Sequence, residues 1–105
     1  MVFLGKYEEL APGMGFPAMR DSFAAKPYST KAEVLSYLKS GKTHIATAAR
    51  IVDVISGERT FIPLVHMNDG EYTWTSKLIY YIDRYNLRLP EDVERRILQK
   101  GSVKH

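Results

Sequence analysis

The fold is decided by the stretch from Asn68 to Gln99, which reads NDGEYTWTSKLIYYIDRYNLRLPEDVERRILQ. The pair Asp69-Gly70 is typical of a tight hairpin turn, because such turns need positive φ angles that Gly tolerates and Asp permits. Tyr72 and Trp74 follow on one face of a short strand. The stretch therefore predicts a hairpin turn and a strand, and its remaining residues predict two helices.

The two C-terminal helices are predicted from apolar residues that recur at helical spacing. Thr75 or Ser76 caps the first helix, and Pro90 suits the first turn of the second because its missing amide proton would be unpaired there anyway. Gly101 is predicted to end the second helix. The buried stripes are Leu78, Tyr81, Ile82 and Tyr85 in the first helix, and Leu89, Val93 and Ile97 in the second.

Upstream, residues 1–29 are predicted to form an irregular arm, and residues 30–105 a single compact domain. The segment 11–27 contains three prolines and two glycines, which prevent a continuous helix or a central strand. The arm also carries apolar residues, so parts of it are expected to dock on the core or on a partner. The domain is predicted to begin with a helix that has a capping box at Thr30 and Glu33 and a left-handed Gly41 at its end.

The segment 44–74 has β propensity and two turn signals, Ser56-Gly57 and the Asp-Gly pair described above. Pro63 cannot donate a ladder hydrogen bond, so its strand should have an edge, a bulge or an exposed amide side there. Alternation is imperfect over residues 48–53, which predicts a bulge or burial of both faces. The predicted fold class is α+β, with an irregular N-terminal arm, one helix, a three-stranded antiparallel meander and two C-terminal helices packed on the sheet.

Composition supports a globular chain of mild positive charge. The 105 residues are 45% hydrophobic and 26% charged, which separates them from a disordered chain. Cysteine is absent, so disulfide frameworks, thiolate zinc sites and cysteine nucleophiles are excluded. No apolar run is long enough to cross a bilayer, and the first residues become charged too early for a signal peptide. We therefore expect no membrane association and a cytoplasmic location.

The sequence predicts no catalytic residue, no cofactor and no metal site. Ser40-Gly41-Lys42-Thr43 resembles the end of a phosphate loop, but that motif needs a Gly where Ser36 stands and a strand before it. The histidines lack the spacing of a metal site, and no serine-hydrolase motif is present. An enzyme is the third functional option, and its candidate groups are His44, His66, His105, Asp53, Asp69 and Glu71.

An aromatic cluster between residues 72 and 85 is the richest feature. Most of its rings are expected in the core with hydrogen-bonded polar tips. Tyr80 differs, because on a helical wheel it lies opposite Leu78 and beside Lys77 and Arg84, which predicts exposure unless the N-terminal arm covers it. An exposed tyrosine beside arginine is typical of a binding hot spot and also of a cation-π pair on a plain surface. The predicted partner-binding residues are Tyr80, Arg84, Lys77 and Trp74, together with the arm.

The leading functional prediction is a non-enzymatic module that binds another protein, of a regulatory or toxin-neutralising type. The alternative is a weak nucleic-acid-binding protein, which the pI of about 9.2 and a basic C-terminal stretch favour. That stretch comprises Arg95, Arg96, Lys100, Lys104 and His105. The same cations also suit the last turn of a helix, and no RNP-like, KH-like or helix-turn-helix signature accompanies them.

Four short motifs resemble a family of small bacterial proteins. The motifs are Lys26-Pro27-Tyr28, Asp69-Gly70-Glu71-Tyr72-Thr73-Trp74, Leu78-Ile79-Tyr80-Tyr81 and Leu89-Pro90. The resemblance covers roughly residues 26 to 98 and implies an arm, a short helix, a sheet and this closing pattern. It implies no established activity, cofactor or catalytic residue.

Overall fold

The computed structural model describes the backbone of residues 1–102 and the side chains of residues 1–101. The fold is α+β, as predicted, with a four-stranded mixed sheet and three α-helices in this part of the chain. Lys104 and His105, from the predicted basic stretch, lie outside the described residues. The elements are β1 (Val2–Phe3), a 3-10 turn (Met19–Ser22), α1 (Lys31–Lys39), β2 (Lys42–Val52), β3 (Arg59–Asn68), β4 (Tyr72–Thr75), α2 (Ser76–Tyr85) and α3 (Glu91–Ser102).

The sheet has the strand order β1-β4-β3-β2. Strands β2, β3 and β4 form the antiparallel part that the sequence predicts. Strand β1 extends this part, because it pairs in parallel with β4 and places Val2 opposite Tyr72. The meander is therefore one side of a mixed sheet, and a strand from the predicted arm was missed because two residues carry no periodicity.

The β2–β3 pair is irregular where the sequence suggested a bulge. The pairing register shifts on both sides of Arg50, which lies opposite Pro63. Strand β3 pairs with β4 only from His66 to Asn68, so β3 has no strand beside Pro63 on that side. Ser76 takes this place: its Oγ donates to the Pro63 carbonyl at 2.8 Å and accepts from the Val65 amide at 3.0 Å. The predicted bulge and the predicted edge at Pro63 are both confirmed.

Helix α1 does not begin with the predicted capping box. Thr30 precedes the helix, but its hydroxyl donates to the Glu94 carboxylate on α3 and caps no amide of α1. The reason is its backbone, because Thr30 has a ψ of 1°, whereas a capping residue is normally extended. Glu94 also accepts from Arg88 at 2.9 Å. The contact therefore joins α1 to α3.

Gly41 is required by packing and not by a left-handed backbone. It is absent from the residues with positive φ, so the predicted helix end of that type is wrong. A Cβ at this position would lie 2.5 Å from Cζ2 of Trp74, which is far inside van der Waals contact. The Trp74 ring is fully buried there, and its indole N–H donates to the Leu38 carbonyl at 3.2 Å.

The ends of α2 and α3 agree only partly with the prediction. The hydroxyl of Thr75 accepts from the Lys77 amide at 3.2 Å, which confirms the N-cap of α2. Gly101 was predicted to end α3 but lies inside the helix, which continues to Ser102. A Cβ on Gly101 would lie 3.7 Å from the Tyr37 ring, an ordinary van der Waals distance, so packing between α3 and α1 does not require a glycine there.

Parts of the predicted arm pack on the core, as expected. Leu4, Tyr7 and Met19 are buried members of the main hydrophobic cluster. The Glu9 carboxylate accepts from the amides of Met19 at 2.7 Å and Arg20 at 3.1 Å, which fixes the 3-10 turn. No helix within residues 1–102 is long and apolar enough to cross a membrane.

Candidate binding surface

The β2–β3 hairpin carries four exposed large apolar side chains on its strands. Phe61 is 93% exposed, a value close to that of an unfolded chain, and Ile45 is 51% exposed. Isolated apolar residues are common on protein surfaces, but several on one element indicate a contact surface. We define the hairpin surface as Ile45, Val52, Phe61 and Ile62.

These side chains are exposed because little covers the hairpin. Strand β2 is the edge of the sheet, and its extensive packing is on β3. Strand β4 is only four residues long, whereas β3 has ten, so most of β3 extends beyond its partner. Two strands therefore stand out from the core with both faces partly open to solvent.

Positive charge accompanies the apolar side chains. Lys42, Arg50 and Arg59 are exposed on the two strands, and β2 contains no acidic residue. Of the two acids between the strands, Asp53 is fully buried, and Glu58 forms an ion pair with Arg84 at 3.7 Å. The outer surface of the hairpin is therefore apolar and basic.

The free edge of β2 is poorly suited to adding another strand. The Thr47 hydroxyl donates to the Leu64 carbonyl at 3.1 Å and accepts from the Ala49 amide at 3.2 Å. Arg50 donates to the Ala48 carbonyl at 3.1 Å, and the pairing register shifts between Ala46 and Arg50, so the middle of β2 is bulged. Bulges of this kind protect natural sheet edges from pairing. Contacts by side chains are therefore favoured over pairing along the edge.

The tip of the hairpin is fixed by one carboxylate. Asp53 accepts from the amides of Ile55 at 2.8 Å and Ser56 at 3.0 Å through Oδ1. Its Oδ2 accepts from the hydroxyls of Tyr80 at 2.7 Å and Tyr85 at 2.6 Å. Burial alone would raise the pKa of Asp53, but these four hydrogen bonds outweigh it and lower the pKa to about 2. The buried carboxylate is thus ionised at neutral pH and fully satisfied.

The Tyr81 hydroxyl adds a second connection between the tip and α2. It accepts from the Val54 amide at 2.9 Å and donates to the Val52 carbonyl at 3.3 Å. Ile51 is fully buried at the same end of β2. The tip of the hairpin is therefore anchored although its strands are exposed.

Tyr80 does not have the exposure that the helical wheel predicts. It is half-buried, and its ring meets that of Tyr81 edge to face at 5.2 Å between centroids. The hairpin tip folds back onto α2 and brings Asp53 to the Tyr80 hydroxyl, which a wheel of one helix does not include. Burial and the neighbouring carboxylate both raise the pKa of Tyr80. Its hydroxyl is therefore engaged within the chain.

The other predicted partner-binding residues have three different environments. The prediction that Trp74 contributes to a partner-binding surface is wrong, because Trp74 is fully buried on the face of β4 that packs on α1. Arg84 is exposed and paired with Glu58. Lys77 is half-buried and lines a cavity beside the arm. The four residues thus form no common exposed surface.

Two of the histidines lie close together but lack an acid. The ring centroids of His44 and His66 are 6.2 Å apart, and His44 Nδ1 lies 3.0 Å from the Asn68 amide nitrogen. Neither ring has a hydrogen bond to a carboxylate among the residues that the structure describes. Within the same residues, no group of three potential metal ligands occurs. The pair has no third group to orient it for acid-base chemistry.

A groove of about 1130 Å³ lies between α1 and α3, and three of the charged residues that line it, Asp69, Arg96 and Lys100, form ion pairs. Asp69 accepts from Tyr37 at 2.6 Å and from Lys100 at 2.9 Å. Glu71 pairs with Arg96 at 3.0 Å and with Lys100 at 2.9 Å. Burial opposes ionisation of Asp69, but its hydrogen bonds outweigh burial and hold its pKa below the usual range. These charges therefore stabilise the junction of the turn after β3 with the two helices.

Comparisons of the chain with protein-family models, with curated proteins and with solved structures found no match. The resemblance to small bacterial proteins therefore stays a prediction. Function has to be inferred from the geometry of this chain, and the hairpin surface was missed in the sequence. A usable signal was present, since a strand as short as β4 cannot cover a strand as long as β3.

Proposed function

We propose that this protein is a non-enzymatic binding module that docks on another protein through the hairpin surface. The observation that carries the proposal is Phe61, which is 93% exposed on an element that its own core leaves open. Burying a side chain of this size is worth about 1.5–3 kcal/mol, and aromatic side chains dominate many interfaces. Ile45 and Ile62 are also exposed on the hairpin.

The partner expected for this surface is acidic. Lys42, Arg50 and Arg59 are exposed on the same two strands as the apolar side chains, and β2 contains no acidic residue that could pair with them. Charge complementarity across an interface accelerates association and excludes partners of the wrong sign. The proposal includes the regulatory or toxin-neutralising role and the cytoplasmic location expected from the sequence.

Capture from a lysate of the source organism tests this proposal. The baits are the unaltered chain, Phe61→Ala, Arg59→Glu and the control Met14→Ala, which alters an apolar residue of the arm that is 66% exposed. We expect a stoichiometric protein partner with the unaltered chain and the control, and its loss with both hairpin variants. A partner that all four baits retain would place the interface elsewhere, and the absence of any partner would argue against the proposal.

A second candidate function, nucleic-acid binding, is favoured by the same cations. A two-stranded antiparallel ribbon fits the major groove of DNA, and an exposed aromatic ring such as Phe61 can stack on bases. Three phosphate contacts by Lys42, Arg50 and Arg59 would weaken binding about fortyfold between about 50 and 200 mM salt. Fluorescence anisotropy with short single-stranded and double-stranded DNA measures this. Absence of binding at the lower salt concentration would remove the candidate.

A further inference from the structure

A separate cavity of about 350 Å³ lies between the N-terminal arm and the sheet. Its walls are mainly apolar: Leu4, Leu10 and Phe16 come from the arm, and Leu64 and Leu78 from the other side. The volume is near the lower limit of small-ligand sites, which span about 300–1000 Å³. The Leu4 amide donates to the Thr73 carbonyl at 2.8 Å, so hydrogen bonding holds the arm against the sheet at this site.

Three groups that can hold an anion line the same cavity. They are Lys6, His66 and Lys77, and no aspartate or glutamate occurs among the lining residues. Neither Lys6 nor Lys77 makes an ion pair or a side-chain hydrogen bond with any residue that the structure describes. His66 can donate at least one hydrogen bond in either protonation state. An apolar cavity with unpaired cations is complementary to an anion that carries an apolar chain.

The position of Lys77 is not explained by the stability of α2. Lys77 lies in the first turn of the helix, where the macrodipole favours acidic side chains and disfavours cations. The first turn of α2 contains no acidic residue that could pair with it. Arg84 lies in the last turn of α2, where the macrodipole favours a cation. Lys77 therefore lies beside the cavity at a position where the helix dipole disfavours a cation.

We propose that this cavity binds a small aliphatic monocarboxylate. The alkyl chain would contact the leucines of the cavity, and the carboxylate would pair with Lys6 or Lys77 and accept a hydrogen bond from His66. The cavity has the volume of about a dozen water molecules, which suits a chain of roughly eight carbons. This site is distinct from the hairpin surface and does not depend on the proposed protein partner.

The test is a titration of the full chain with octanoate, followed by ¹H–¹⁵N NMR. We expect saturable shifts at amides around the cavity, such as those of Leu64 and Lys77, with a dissociation constant of about 0.1–1 mM. Octanol keeps the chain without the charge, and acetate keeps the charge without the chain. Both are expected to bind at least about tenfold more weakly, because each lacks one of the two complementary parts.

Variants distinguish octanoate binding in the cavity from nonspecific adsorption to the protein surface. Lys77→Gln should weaken octanoate binding about three- to tenfold, since it removes one charge-assisted contact. Arg84→Gln, a change of the same charge on the same helix outside the cavity, should leave the affinity unchanged. Ala11→Phe should fill the cavity and abolish binding, and NMR dispersion reports whether this variant folds. Phe61→Ala should bind octanoate normally, which keeps this test independent of the hairpin surface.

Three results would overturn the proposal. The first is no saturable binding up to about 10 mM octanoate, a concentration at least tenfold above the expected dissociation constant. The second is octanol binding as strongly as octanoate. The third is unchanged affinity in the Lys6→Gln, Lys77→Gln double variant, which retains the apolar walls and therefore does not rely on Ala11→Phe being folded.

Discussion

The tip of the β2–β3 hairpin is buried and hydrogen-bonded within the chain, whereas the strands that lead to it leave apolar and charged side chains exposed. At the tip, Asp53 is fully buried with four hydrogen bonds, and Ile51 is fully buried beside it. On the strands, Phe61 extends into solvent, and the cations of β2 have no carboxylate partner among the described residues. The anchored tip holds the exposed strands in one geometry, and such preorganisation reduces the entropy lost on binding.

The anchor depends on polar contacts of unequal value. The Glu58–Arg84 pair at the tip is exposed on both sides, and pairs of this kind contribute only about 0–1 kcal/mol. The hydrogen bonds to Asp53 are buried and charge-assisted, and bonds of that class are stronger. Variants of the tip should therefore change stability, whereas variants of the strands should change binding.

The largest expected effect comes from removing the buried carboxylate. Asp53→Ala should lower the free energy of unfolding by about 3 kcal/mol, because two hydroxyls and two amides lose a charged acceptor. Urea denaturation measures the change. The control is Asp83→Ala, which removes an exposed carboxylate of α2 and should change stability by less than about 0.5 kcal/mol. Equal effects of the two variants would remove the distinction between anchored tip and exposed surface.

The second expected effect is a loss of folding stability at low pH. Asp53 has a pKa of about 2 in the folded chain, below its ordinary value of 3.8, so it binds its proton more readily when unfolded. Its contribution is therefore complete above the unfolded value and is lost as pH falls from about 5 to about 2. Asp69 has a lowered pKa as well and contributes in the same direction.

Urea denaturation at several pH values isolates the Asp53 contribution. Asp53→Asn should be less stable than the unaltered chain at neutral pH and should lose less stability on acidification, because it has no proton to gain at this position. The Asp69 contribution remains in both proteins. Parallel stability curves for the two proteins would show that Asp53 is not the titrating anchor.

A smaller effect is expected from one hydroxyl of the anchor. Tyr80→Phe should lower the free energy of unfolding by about 1–1.5 kcal/mol, because it removes one of the bonds to Asp53 and keeps the ring. Tyr72→Phe is the matched control, since the Tyr72 hydroxyl has no hydrogen bond to a described residue. A Tyr80 variant as stable as the control would mean that the amides of the tip alone hold Asp53.

The smallest effect on stability should occur on the strands. Phe61→Ala is expected to change the free energy of unfolding by less than about 0.5 kcal/mol, because the ring is almost entirely exposed and makes little contact to lose. Thermal unfolding monitored by circular dichroism measures this. The same variant should lose the proposed protein partner. A clear loss of stability would show that the ring packs within the chain and would weaken its proposed role.

Local signals in the sequence were sufficient for most of the elements. The turn glycines Gly57 and Gly70 have positive φ, and Thr75 caps α2, because each of these roles depends on residues close in the chain. Strand β1 and the role of Gly41 could not be predicted in this way. The first depends on pairing with a distant strand, and the second on the distance to the Trp74 ring.

The candidate site was harder to predict than the fold. Tyr80 was selected because it lies opposite the buried stripe of its helix, but the hairpin tip covers it through Asp53. Conversely, Phe61 belongs to an ordinary strand pattern, and its exposure follows from the shortness of β4. Exposure is a property of the assembled elements, and the pattern of one element does not determine it.

The Ser76 hydroxyl has a consequence for solubility. It occupies the carbonyl of Pro63 and the amide of Val65, where β3 runs beyond the end of β4. Unoccupied groups in such a row offer a template on which a strand of another molecule can pair and begin to aggregate. The first residue of α2 thus occupies the backbone groups that a short β4 leaves unpaired. A long hairpin can then be exposed without offering those groups to a second copy of the chain.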